Sequence, residues 1–222
     1  MNWMKKVAVA LVCLLPLGLQ AAKVDTLQVK SPSMNKSIEV VVVSPDVAAT
    51  KACPVIYLLH GYGGNARTWV GIKPDLPKIA DEKGIFFVCP DGKNTWYWDS
   101  PLNADVRYET FISNELVKYV DSHYKTVADR KGRAITGLSM GGHGAMWNGL
   151  RHSDVFSAAG STSGGVDIRP FPKNWEMSVQ IGEKAKYPEN WEKYTVINLV
   201  PTLRKDQIAL IFDCGDSDFF WR

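Results

Sequence analysis

Six short apolar runs, separated by helical or glycine-rich stretches, constrain this chain more than any other feature. In order they are SIEVVVVS, VIYLLHG, GIFFVCPDG, GRAITG, FSAAGS and IALIFDCG. Four are dense in Val, Ile, Leu or Phe without strict alternation, the pattern of strands covered on both faces. Helices are predicted over Ile72 to Lys83, Tyr108 to Tyr124 and Gly141 to Arg151, with a shorter one near Trp191 to Thr195. In the second, Phe111, Leu116, Tyr119, Val120 and His123 form a partly regular apolar face at spacings of three and four. Strands and helices taking turns predict an α/β fold, with a mostly parallel central sheet sandwiched between helical layers. A chain of 222 residues suits one such domain. The stretch from Gly164 to Pro188, with Pro170, Pro172 and Pro188, reads as an excursion on the sheet's ligand edge rather than a second domain.

The N-terminus is set apart from this pattern. Lys5 and Lys6 precede an apolar run from Val7 to Leu19, and small residues follow at Ala21 and Ala22. That is the layout of a cleaved signal peptide, and the run is short for a membrane span of about 20 residues. Residues 1–22 are therefore expected to be removed after Ala21 or Ala22. That would leave residues 23–222 as a secreted or periplasmic domain with no stable membrane anchor. The formal charge of +3 falls close to neutral without the two leader lysines. The remaining basic residues are scattered, and no nucleic-acid module is visible. Cys53, Cys89 and Cys214 have no metal-ligand spacing, so no metal is expected.

Residues 133 to 146 read RAITGLSMGGHGAM. A strand ends at Thr136, Gly137-Leu138-Ser139-Met140-Gly141 turns sharply, and a helix begins. This is G-x-S-x-G in the strand–turn–helix setting that gives the motif its meaning. The turn lifts Ser139 Oγ out at the C-terminal end of the sheet as a nucleophile. Side chains at 137 and 141 would collide with neighbouring segments. The free N–H groups of the helix start face the charge that develops on an attacked carbonyl. Earlier in the chain, VIYLLHGYGGN is a strand followed by a glycine-rich loop. The N–H groups of Tyr62 and Met140 are the expected oxyanion donors, and His60 is expected to hold the donor loop. Neither glycine-rich segment carries a phosphate-loop or dinucleotide pattern, so no cofactor is expected.

After GIFFVCPDG comes NTWYWDSPLNADVRYETF. Ligands of such sheets bind beyond the strand C-termini. Trp96, Tyr97 and Trp98 are therefore candidates for an aromatic wall against a planar acyl group or a sugar ring, with loop packing as the alternative. Glu109 is expected to fix this loop or cap the next helix.

Taken together, LLHGYGG, WYWDSP, YETFISNEL, GLSMGGHGA, LRHSDVFSAAGSTSGGVD and LIFDCGDSDFF resemble the esterase D family of α/β-hydrolases. That family includes S-formylglutathione hydrolases, tributyrin, feruloyl and acetyl-xylan esterases, and a mycolyltransferase branch. The resemblance runs over roughly residues 25 to 222. It implies Ser139 as nucleophile, an oxyanion hole near Tyr62 and Met140, and an acid at Asp218. Asp216, in the same loop, is the alternative acid. With an export signal, it implies a serine carboxylesterase for short or aromatic acyl esters on plant carbohydrate. Alternatives are acyl transfer to a sugar hydroxyl and an inactive carbohydrate-binding or scaffold homologue. The oligomeric state is left open.

The chain departs from the family in one respect. Members carry a catalytic histidine some thirty residues beyond the acid, after one more strand and before a last helix. Here only His60, His123, His143 and His152 are present, and none is expected to bridge Ser139 and Asp218. The expectation is an α/β-hydrolase fold lacking its last strand and helix, with the base beyond position 222.

Overall fold

In the computed structural model residues 22–219 are described, so the leader expectation lies outside the described residues apart from Ala22. Seven strands form one sheet: β1 (Lys23–Ser31), β2 (Lys36–Ser44), β3 (Val55–Leu59), β4 (Phe86–Pro90), β5 (Arg133–Gly137), β6 (Ala158–Thr162) and β7 (Ala209–Asp213). Their order across the sheet is β1-β2-β4-β3-β5-β6-β7. The β1–β2 and β2–β4 pairs are antiparallel, and all the others are parallel.

The consecutive valines of β2 show why its sequence does not alternate. Val40 and Val42 enter one hydrophobic cluster, Val41 and Val43 the other, and all four are fully buried. The first cluster is roofed by two long helices. One is the helix over 108–123, α3, whose middle section Phe111–Leu116 is a π-helix; the other is α4 (Met140–Arg151). The opposite face is closed by α2 (Leu76–Lys83), which buries Leu76 and Ala80. Helices on both faces of a mixed, largely parallel sheet make the three-layer sandwich expected from the sequence.

Several elements were not foreseen. The first strand, KVDTLQVKS, buries only Val29 and Ser31. Such an edge strand draws its stability from pairing with β2 and carries little apolar signal. The helix expected to begin at Ile72 starts instead at Leu76, and a separate short helix α1 (Thr68–Ile72) precedes it. Pro74 lies between them and, having no N–H, cannot continue the helical ladder. The excursion contains a short helix α5 (Met177–Ile181), and α6 (Pro188–Lys193) falls slightly earlier than predicted.

Candidate active site

Ser139 stands between β5 and α4 with φ 56° and ψ −115°, far outside the helical region. A non-glycine residue there is strained and persists only where its surroundings fix it. Ser139 N–H donates to the Thr162 carbonyl at 2.9 Å, and its own carbonyl accepts from His143 N–H at 3.0 Å. The flanking glycines are required by space. A Cβ at Gly137 would run into the Gly141 carbonyl, and one at Gly141 into the Leu59 carbonyl. The elbow is thus locked against the C-terminal ends of β3 and β6.

The loop after β3 lies directly beside it. A Cβ built at Gly61 would be 3.6 Å from Ser139 Cβ and 3.3 Å from the Leu138 carbonyl oxygen. Among the described residues, neither Tyr62 N–H nor Met140 N–H has a hydrogen-bond acceptor. Most backbone donors in folded proteins are paired, so two free ones flanking a strained serine stand out. Met140 is fully buried, while Tyr62 is part of the exposed mouth.

His60 braces this loop from below, as expected from the sequence. Its Nε2 accepts from Gly92 N–H at 2.9 Å, so Nδ1 carries the proton and donates to the Gly61 carbonyl at 2.7 Å. Tyr97 OH donates to the His60 carbonyl. Behind it, burial works to raise the Asp91 carboxyl. Contacts with the Lys93 ammonium and N–H outweigh that burial and hold the carboxyl at about 2.

The aromatic wall is a correction. Trp96, Tyr97 and Trp98 are all buried, and each spends its polar atom inside the protein. Trp96 Nε1–H donates to the Trp175 carbonyl, Tyr97 OH to His60, and Trp98 Nε1–H to His143 Nε2. An indole or phenol with a buried polar atom is most stable where that atom is paired, and here the pairing draws all three rings inward. They form the floor under the rim rather than its surface.

His143 is sealed in that floor. Its Nδ1–H donates to the Gly165 carbonyl at 2.8 Å, and its Nε2 accepts from Trp98. Burial pushes its pKa down to about 4. His152 pairs with Glu109 at the far end of α4, and His123 lies on the surface of α3 stacked on Tyr119. The Ser139 hydroxyl makes no hydrogen bond to any of the four. Glu109 is buried and accepts from Trp147 Nε1, Arg151 Nε and His152 Nε2, so it ties α3 to α4 rather than the rim loop.

The loop expected to carry the acid follows β7. Asp213 ends the strand in register with Thr162, and Ser163 N–H donates to its carbonyl. The elbow, β6 and β7 are thereby joined at one edge. Asp218 lies in the turn just beyond, with its N–H on the Gly215 carbonyl at 3.0 Å. Asp216 is exposed and accepts from Ser217. Two polar residues at the mouth, Asn94 and Glu176, carried no signal of their own in the sequence.

A strained G-x-S-x-G turn beside a glycine-rich loop, at the C-terminal edge of a largely parallel sheet, is the arrangement of an α/β-hydrolase fold. Comparison with known proteins agrees. The "Esterase" family profile matches residues 31–221, and the chain belongs to that esterase family. An esterase of Mycobacterium tuberculosis is 30% identical over 149 residues, covering 64% of this chain but 32% of its own. The acetyl esterase of Caldicellulosiruptor saccharolyticus is 32% identical over 102 residues, covering 46% of this chain and 37% of its own. The chain thus spans about a third of the length of these curated relatives. The solved structure of a ferulic acid esterase superposes with a TM-score of 0.73 at 30% identity, covering 90% of this chain and 81% of that one.

Proposed function

We propose that this protein is a serine carboxylesterase that works through an acyl-enzyme on Ser139. One observation carries the reading: a strained serine in G-x-S-x-G lies beside two backbone N–H groups that have no acceptor among the described residues. Ser139 Oγ attacks the ester carbonyl carbon as a base takes its proton. The carbonyl oxygen becomes an oxyanion between Tyr62 N–H and Met140 N–H, each worth about 3 kcal/mol in the transition state. The tetrahedral intermediate collapses and expels the alcohol, which takes up the proton. Water then repeats the attack on the acyl-enzyme and frees the acid. Asp218 is the proposed orienting acid. The rings of the four histidines are engaged elsewhere or lie remote from Ser139, so the base is proposed to be a histidine outside these 222 residues.

The proposed substrates are short or aromatic acyl esters of carbohydrate, met outside the cytoplasm after loss of the leader. The names of two relatives, an acetyl esterase and a ferulic acid esterase, support this class, as does the layout of residues 1–22. In a product that carries the proposed base, a fluorophosphonate probe should label Ser139 and leave Ser139→Ala untouched; absence of labelling in that product would overturn the esterase reading. Turnover of p-nitrophenyl acetate, methyl ferulate and acetylated xylan should exceed that of a long-chain triglyceride. The reverse order would overturn the substrate class. Acyl transfer to an added sugar that outpaces hydrolysis would reassign the enzyme as a transferase.

A further inference from the structure

Two pairs of adjacent non-glycine residues lie in the left-handed region near the site. They are Trp96 and Tyr97, with φ of 58° and 59°, and Trp175 and Glu176, with φ of 49° and 53°. Bulky residues enter this region rarely, and such strain persists only where contacts over-determine it. Here the two pairs are latched together, since Trp96 Nε1–H donates to the Trp175 carbonyl at 3.1 Å.

The latch aims Glu176 at the oxyanion loop. Asn94 Oδ1 accepts from Gly63 N–H at 2.9 Å, which leaves its Nδ2 to donate to Glu176 Oε2 at 3.2 Å. Only this orientation of the Asn94 amide satisfies both neighbours. The Tyr62 phenol faces the same carboxylate. Its partial burial and then the bond and charge of Glu176 raise it above its ordinary value. Within the loop, Gly64 N–H folds back on the Gly61 carbonyl, and Gly63 needs its φ of 76°. A stretch with three glycines has little stiffness of its own, and an oxyanion donor is effective only when it is fixed before reaction.

We infer that Asn94 and Glu176 are positioning residues, a side-chain relay through which the 164–188 excursion holds the oxyanion loop so that Tyr62 N–H faces the reacting carbonyl. The inference rests on the esterase reading of Ser139. The relay acts on the oxyanion, which every ester shares, so its loss lowers the chemical step equally for all substrates. Both bonds are exposed to water, which limits the effect to about 5- to 30-fold in rate.

The test compares Asn94→Ala, Glu176→Ala, Glu176→Gln and the double alanine variant with wild type, on acetate esters of several alcohols. Asn94→Ala and Glu176→Ala should each lower kcat by about 5- to 30-fold at nearly constant KM. The double variant should fall no further than the worse single one, because both break the same relay. Glu176→Gln, which keeps the acceptor oxygen, should stay within about threefold of wild type. Hydrogen exchange at the Gly63 amide should quicken in both single alanine variants. Unchanged kcat, or KM changes that depend on the alcohol, would overturn the inference, the latter by making these residues substrate contacts. Should a wild type that carries the proposed base hydrolyse no ester, the esterase reading fails, and Gly63 exchange alone decides the relay. Unaltered exchange in Glu176→Ala would then sink it.

Discussion

Ala22 and His143 show how single atoms carry consequences beyond their neighbourhood. Ala22 N lies 2.7 Å from Asp81 Oδ2, while Asp81 Oδ1 accepts from Asp46 N–H, and Ala22 itself is buried. Cleavage between Ala21 and Ala22 would turn that amide into an ammonium already seated on a carboxylate, a stronger, charge-assisted contact. Cleavage after Ala22 would discard it. The mature protein is therefore expected to begin at Ala22, and N-terminal sequencing decides between the two; a first residue of Lys23 would refute the contact's role. His143 gives a pH signature. Its folded pKa of about 4 lies below the ordinary 6.5, so between those values the unfolded chain binds the extra proton. Stability therefore rises with pH across that window and is lost as pH falls from about 6.5 to 4, by on the order of 3 kcal/mol. Urea midpoints measured from pH 4 to 7 should show this slope in wild type and a flatter one in His143→Phe. The variant should be less stable throughout, because Trp98 Nε1–H loses its acceptor.

Among the elements, α3 and α4 are coupled by one carboxylate. Glu109 accepts from Trp147, Arg151 and His152, all on α4 or at its end. Truncation to alanine strands a buried indole N–H and frees the helix pair, at a cost of about 2–4 kcal/mol. The site lies at the opposite end of α4, so urea denaturation should register that loss while kcat per folded molecule stays within twofold. A large fall in kcat would show that α4 transmits strain to the elbow. The same helices mark where sequence is and is not sufficient. The elbow was legible because Gly137, Ser139 and Gly141 occupy a local turn that needs those residue types at that spacing. β2, β3 and β4 were legible because strands covered on both faces need unbroken apolar runs, and β7 carries such a run although its side chains are exposed. β1 was not, since an edge strand with polar residues on both faces leaves no such run. The direction of the Trp96–Trp98 rings was not legible either. Residues far away in sequence, His143 and Trp175, decide whether those rings turn inward or outward. Asn94 and Glu176 meet only across the fold, and no short motif could have joined them.

At the scale of the molecule, the two edges of the sheet are unlike. β1 is short of apolar side chains. At the other end Leu210, Ile211 and Phe212 of β7 are 42%, 74% and 74% exposed. Beside β7 runs an apolar groove of about 590 Å³, lined by Met146, Leu150, Val166, Val196, Val200 and Phe212. A flat apolar edge with unpaired backbone groups is a template for pairing with another chain. The protein of residues 22–222 is therefore expected to self-associate at micromolar concentration. Replacing Ile211 and Phe212 with lysine should shift it toward monomer in sedimentation. If the segment that carries the proposed base also covers this edge, association and catalysis are linked. A longer product carrying that segment should be monomeric. It should hydrolyse p-nitrophenyl acetate on the order of 10³-fold or more faster than residues 22–222, which would have the oxyanion hole but no base. Equal rates for the two forms, with the shorter one monomeric, would mean that one of the four histidines moves to serve Ser139. Single substitutions of His60, His123, His143 and His152 would then identify which.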